Sequence, residues 1–347
     1  MRETSPSYVT PTYLISRPDA IGDVVLTLPM AGWLKHKRPG CRVVFLGRAY
    51  TAAVVTACEH VDEFVDADEL RALPPNEQVQ RIKNLRLDAW IHALPDRSLA
   101  WLARRAEVPV RVGTTRRWWH WLTCNHRVSL SRKNSGLHEA ELNLRLLAGV
   151  GIHVFPPLTR IPAFYGLTRI APLTAAVRRL LGPPPAPGCL QVILHPKSRG
   201  SGREWPLTHY TALARALHGA GHRVLLSGSE AEAELLTDFC RENAAVLTDL
   251  TGRITLAELL GVIQATDALV ASGTGPLHLA AALGRRAVGL FPPLRPIHPG
   301  RWGALGTRAV SLVTPQRAAC ADCVGRPAAC HCLPEISPAQ VLTALAG

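Results

Sequence analysis

The chain has 347 residues, 47% of them hydrophobic, with a formal net charge of +13 and nine cysteines. That length exceeds one ordinary core and predicts two domains, and the apolar content excludes a disordered chain. The charge points to anionic partners such as nucleic acid, acidic lipid or phosphorylated substrates. No basic, apolar leader is visible, no apolar run reaches the roughly 18 residues of a membrane span, and the scattered cysteines do not form a disulfide scaffold; a cytoplasmic, reduced protein is predicted.

In chain order, "TYLIS" predicts a strand and residues Asp23 to Lys37 a helix. "RVVFLG" (Arg42 to Gly47) and "LDAWIHAL" (Leu87 to Leu94) predict further strands, and "HEAELNLRLLAGVGI" a helix ending near Ile152. The proline-rich "GPPPAPG" (Gly182 to Gly188) suits neither a helix nor a central strand and marks a passage between domains. The rhythm then restarts. "CLQVILHP", "HRVLLSG", "DALVAS" and "RAVGLF" read as strands, alternating with helices that include one opened by Pro206 and another with Pro276 in its first turn. The alternation predicts an α/β protein of two doubly wound halves, with ligands beyond the carboxyl ends of the strands.

Five stretches carry candidate chemistry. In "SRPDAIGDVVLTLP", Asp23 reads either as a helix cap or as a general base, and Asp19 as a turn-former. "HPKSRGSGREWP" joins a strand to a helix with Lys197, Ser198, Arg199, Ser201 and Arg203, a combination suited to anions although it lacks the Walker pattern. "SGTGPLHLAAALG" offers Thr274, the amides near Gly275 and Pro276, and His278 one turn in. Residues Arg97 to His138 hold nine Lys or Arg against one acid, Glu107, together with Trp101, Trp118, Trp119 and Trp121. That mixture suits nucleic-acid bases, a phosphorylated sugar, a lipid surface or simply a solvated face. Finally, Cys320, Cys323, Cys330 and Cys332 have spacing that allows a structural zinc or iron, or only reduced thiols.

Together these stretches resemble glycosyltransferase family nine, the heptosyltransferases of lipopolysaccharide synthesis. "RPDAIGDVVLTLP" is similar to the family's opening signature, "VRVG" and "HEAELNLRLLAGVGI" to mid-chain pieces, and "HPKSRGSGREWP" to its phosphate loop. "TGPLHLAAALG" resembles its D-T-G-P-x-H-x-A-A-A-L-G signature, and "CLPEISPAQV" its C-terminal helix entry. The resemblance implies a GT-B fold of two Rossmann-like domains facing a central cleft. It implies an acceptor-binding domain over 1–165, a linker over 166–188, a nucleotide-sugar domain over 189–330 and a tail helix over 331–347. The implied reaction is inverting transfer of heptose, from ADP-heptose, to a lipopolysaccharide core or other anionic lipid-linked acceptor at the inner membrane surface. No metal or cofactor is implied for catalysis, and no nucleic acid as partner.

Within that resemblance Asp23 matches the base. Lys197, Ser198, Arg203, Thr274, Gly275, Pro276 and His278 fall on the donor side, and Glu232 where an acid would hold the ribose. Asp19, Gly22, Arg116 and Arg117 are assigned to the acceptor side. Two residues depart from the family pattern: Gly273 replaces the acid before Thr-Gly, and Arg203 a lysine, a forked group for a point charge. The departures leave open an inactive nucleotide-sugar-binding relative. An epimerase of similar fold competes with it, as does a nucleic-acid-binding protein read from charge alone.

Overall fold

The computed structural model describes residues 10–132, 135–198, 200, 202–294, 297–314 and 331–347. Its strands form two six-stranded sheets in which every pairing is parallel. The first contains β1 (Thr12–Ser16), β2 (Arg42–Gly47), β3 (Glu63–Asp66), β4 (Ala89–His92), β5 (Val110–Thr114) and β6 (His126–Val128). The second contains β7 (Gln191–His195), β8 (Arg223–Leu226), β9 (Thr248–Asp249), β10 (Ala268–Ser272), β11 (Arg286–Phe291) and β12 (Ala309–Val313).

The strand orders are β3-β2-β1-β4-β5-β6 and β12-β11-β10-β7-β8-β9. Counted from its own first strand, the second sheet repeats the connectivity of the first, the doubly wound order of nucleotide-binding folds. Helices cover both faces of such a sheet, which is why the central strands β1, β7 and β10 are buried along their whole length and carry nearly continuous apolar runs. One local device recurs. Asp88 just before β4 accepts from the amide of Thr12 at 2.7 Å, and Asp267 just before β10 accepts from that of Gln191 at 2.8 Å. Each carboxylate thereby ties the entry of one central strand to its neighbour.

The chain divides into two compact units, Met1–Asp19 with Thr27–Arg132 and Ala140–Gly166, and Ala20–Leu26 with Lys133–Glu139 and Leu167–Gly347. The crossing at 26–27 coincides with a break in the helix expected from Asp23 to Lys37. The chain forms two helices, Ile21–Val25 and Leu28–Lys37. Pro29 sits in the first turn of the second, where its missing amide would have no intrahelical partner. The expected helix near residue 152 is Glu139–Arg145 followed by a 3₁₀ turn, Leu146–Val150, closed by Gly151 at φ +80°. In the second unit the helix Pro338–Ala346 seats Val341 and Leu345 in the core, and the indole of Trp205 donates to the carbonyl of Ile336 at 2.8 Å.

Candidate functional site

In the second sheet the winding reverses between β7 and β10, and the loops leaving the carboxyl ends of these two strands flank that switch point, where ligands bind in sheets of this type. These loops are the two phosphate-loop candidates: one runs from His195 to the helix Leu207–Gly219, the other from Ser272 to the helix Gly275–Ala282. The loops touch. A Cβ on Gly202 would stand 3.4 Å from both the amide nitrogen and the carbonyl oxygen of Gly273.

The second loop ends on a helix whose N-cap, Thr274, makes no capping hydrogen bond. An N-cap threonine ordinarily accepts from an amide one turn in. Here Thr274 Oγ1 is buried with no partner among the described residues, as are Ser272 Oγ and His278 Nδ1. The three residues are only 4, 1 and 3% exposed. Burying a polar atom unpaired is costly, so three within seven residues, beside the open amides of a helix start, describe a place prepared for a polar ligand. His278 is held neutral: burial and then the nearby His138 push its imidazole down to about 3. A neutral ring offers one donor and one acceptor rather than a charge.

Against this turn packs the short helix Ile21–Val25, which carries Asp23. Its N-cap is Ala20, so Asp23 lies in the first turn rather than at the cap. The approach is close because both helices have glycine at the contact. A Cβ on Gly22 would stand 2.9 Å from His278 Cδ2, and one on Gly275 only 2.7 Å from Ile21 Cβ. Gly22, Asp23, Thr274, Gly275, Pro276 and His278 are therefore gathered in one place. The segment before Ala140 closes the same unit: His138 Nε2 pairs with the carbonyl of Gly303 at 2.8 Å, and the fully buried Glu139 pairs with Arg301 at 3.0 Å.

Residues 185–332 match the family model "Glycosyltransferase family 9 (heptosyltransferase)". Over that span the chain is similar to the family 9 glycosyltransferases. A Haemophilus influenzae protein assigned provisionally to the glycosyltransferases is 25% identical over 297 residues, 83% of this chain and 84% of its own. Lipopolysaccharide heptosyltransferase 2 of Salmonella typhimurium is 37% identical over 101 residues, covering 28% of this chain and 29% of that protein. Among solved structures, E. coli ADP-heptose lps heptosyltransferase II superposes with a TM-score of 0.76 at 20% identity, over 96% of this chain and 97% of that one. The α/β, GT-B-type fold expected from the sequence is therefore the fold of this chain.

Within residues 185–332, Lys197 is bound to Glu204 at 3.0 Å, and Glu204 also accepts from the amide of Ser198 at 3.0 Å. Ser198 Oγ donates to the carbonyl of Gly202 at 3.0 Å. Glu204 thus shapes the first loop, a role that its place in "GREWP" does not announce. Arg203 is half-buried beside it, and Arg199 and Ser201 lie outside the described residues. Glu232 completes a capping box: its Oε2 accepts from the amide of Ser229 at 2.7 Å and from its hydroxyl at 2.8 Å. At Gly273 the room for a side chain is taken by Phe291, whose ring would lie 2.8 Å from a Cβ there. That ring also covers Gly289, 2.5 Å from the corresponding point.

The remaining residues belong to the first unit or to the chain's end. Asp19 pairs with the buried Arg17 at 3.5 Å, and its carbonyl accepts from Tyr50. Arg116 and Arg117 are exposed just before the helix Trp118–Thr123. Cys332 is buried, while Cys320, Cys323 and Cys330 lie outside the described residues. Among the described residues no three His, Cys, Asp or Glu are grouped to hold a metal. At the winding reversal of the first sheet, a buried group was not anticipated: Ser16 Oγ lies 3.3 Å from His92 Nδ1 and accepts from the indole of Trp90 at 2.9 Å. Burial and then His120 push His92 down to about 3.

Proposed function

We propose that the protein is an inverting glycosyltransferase that moves heptose from ADP-heptose to a lipopolysaccharide core or related anionic acceptor. The observation that carries this reading is the set of buried, unpartnered polar atoms on Ser272, Thr274 and His278, packed against the helix of Asp23 in a chain similar over residues 185–332 to family 9. The names of the similar proteins support heptose and lipopolysaccharide as donor sugar and acceptor class.

In this mechanism Asp23 takes the proton from the acceptor hydroxyl as that oxygen attacks the anomeric carbon, with inversion. The bond to the nucleotide breaks and the leaving diphosphate gains charge. Arg203, Lys197 and the amides at Thr274 and Gly275 stabilise that charge, and no catalytic metal is required. Ser198 and the Thr274 hydroxyl bind phosphate oxygens, neutral His278 hydrogen-bonds the donor, and Pro276 fixes the first turn. Glu232 is assigned to the ribose. Asp19, Gly22, Arg116 and Arg117 are assigned to the acceptor. The enzyme works in the cytoplasm at the inner face of the membrane.

The test incubates the protein with ADP-heptose and a heptose-deficient lipopolysaccharide core and measures ADP release. Asp23→Asn should lower the rate by about 10²- to 10⁴-fold while leaving ADP binding intact. Absence of ADP release with any nucleotide sugar overturns the reading, as does full activity of Asp23→Asn. Gly273, with Phe291 filling its side-chain space, favours one second reading: a nucleotide-sugar binder without transfer. It would bind ADP and release none from the donor.

A further inference from the structure

Among the described residues seven large hydrophobic side chains are exposed, and three of them, Trp118, Trp121 and Leu122, fall within five residues of each other. They are 57, 58 and 52% exposed. Their spacing of i, i+3 and i+4 places them on one face of the helix Trp118–Thr123, whose His120 and Thr123 are buried. Single exposed hydrophobics are ordinary, whereas three on one helical face form a patch that needs an explanation.

Cations surround that patch. The guanidinium of Arg97 lies 5.0 Å from the ring centre of Trp118, and that of Arg127 lies 4.6 Å from the ring centre of Trp121. Arg104 donates to the carbonyl of Leu122, and Arg117 lies 5.5 Å from Trp119. The acids nearest in sequence to the patch and its arginines, Glu107 and Asp96, are paired with Lys83 and Arg71, each at 2.7 Å. An apolar face ringed by arginines matches the headgroup layer of an anionic bilayer: indoles settle at the boundary, and guanidiniums reach the lipid phosphates.

We propose that the face of Trp118, Trp121 and Leu122 docks on an anionic phospholipid bilayer, with Arg97, Arg104 and Arg127 engaging the phosphates. Single-stranded nucleic acid fits the same charge less well. Base stacking needs open ring faces, but each exposed indole already has one face under an arginine, and Leu122 offers a base nothing to stack on. The indole nitrogen of Trp121 is also committed, donating to the carbonyl of Thr115 at 3.1 Å. The proposal deepens the membrane placement given above, yet it is read without any sugar transfer.

The experiment sediments the full chain with vesicles of phosphatidylglycerol and phosphatidylethanolamine that contain no lipopolysaccharide. Vesicles of phosphatidylcholine alone serve as the neutral comparison. Binding is expected to the anionic vesicles and to be much weaker on the neutral ones. The triple variant Trp118→Ser, Trp121→Ser, Leu122→Ser should bind the anionic vesicles about tenfold more weakly or worse. Leu235→Ser, which removes an equally exposed hydrophobic from the helix Glu230–Glu242, should bind as the wild type does. Circular dichroism and the urea midpoint verify that each variant is folded; if the triple variant unfolds, Trp118→Ser alone replaces it, with a several-fold loss expected. No binding to anionic vesicles overturns the proposal. So does an unchanged affinity of the folded patch variant, or an oligonucleotide affinity that falls with the patch while vesicle binding does not.

Discussion

Replacing Thr274 by valine should move stability and ligand affinity in opposite directions. The hydroxyl is buried without a partner, and such a group costs about 1–3 kcal/mol. Valine keeps the shape, and the extended backbone at this N-cap, φ −126° and ψ 166°, suits a β-branched residue. No capping hydrogen bond is lost, because none is made. Thr274→Val should therefore leave the unliganded protein as stable as before or more so, by up to about 1–3 kcal/mol. The ligand loses a hydrogen bond to a charged phosphate oxygen, about 1.5–3 kcal/mol, which is roughly a ten- to hundredfold rise in Kd. Urea unfolding without ligand measures the first effect, and calorimetric titration with ADP the second. A loss of about 1 kcal/mol or more in the unliganded protein would show that the hydroxyl is a structural cap. An ADP affinity within about twofold of wild type would show that it does not face the ligand. Either result refutes the reasoning.

Gly275→Ala should separate the two helices at the site, because its Cβ would meet Ile21 Cβ at 2.7 Å where about 3.5–4 Å is comfortable. The expected cost is about 1–3 kcal/mol in stability, and the displacement of the Asp23 helix should lower kcat/KM by up to about a hundredfold; unchanged thermal unfolding and rate would contradict the packing. His92 and His278 have folded values near 3, against about 6.5 when unfolded, so above pH 6.5 they leave stability independent of pH. Below it the unfolded chain takes up protons that the folded chain refuses, so stability falls with pH, by about 2 kcal/mol per histidine at pH 5. Urea midpoints across that range should drop in the wild type and drop less steeply in His92→Gln.

Much of the architecture was legible from local pattern. Strands covered on both faces must be apolar throughout, so "TYLIS", "RVVFLG", "DALVAS" and "RAVGLF" stand out unaided. The edge strands Glu63–Asp66, His126–Val128 and Thr248–Asp249 are short and partly polar, and pattern alone passes over them. The helix expected from Asp23 to Lys37 carried its own warning in Pro29. That the break also hands the chain from one unit to the other has no local signature. The same holds for the site. Turn chemistry marked Thr274 and His278 as candidates, but the meeting of Gly22 with His278, the hold of Glu204 on Lys197 and the filling of Gly273's space by Phe291 are contacts that only the fold creates. A charge count treats Lys197 as an open cation, and only the fold shows the carboxylate beside it.

The crossings of the chain bear on how the protein is made. Residues 20–26 leave the ribosome early, yet the helix they pack against, Gly275–Ala282, is synthesised long afterwards. The segment carrying Asp23 must therefore wait, tethered to an N-terminal sheet that can already pair its strands, until most of the chain has emerged. A nascent chain truncated before residue 275 can contain a finished first sheet and still lack the contact that seats Asp23. That contact would form late and abruptly. For the same reason, separating the protein into two expressible halves would require carrying residues 20–26 and 133–139 across the cut.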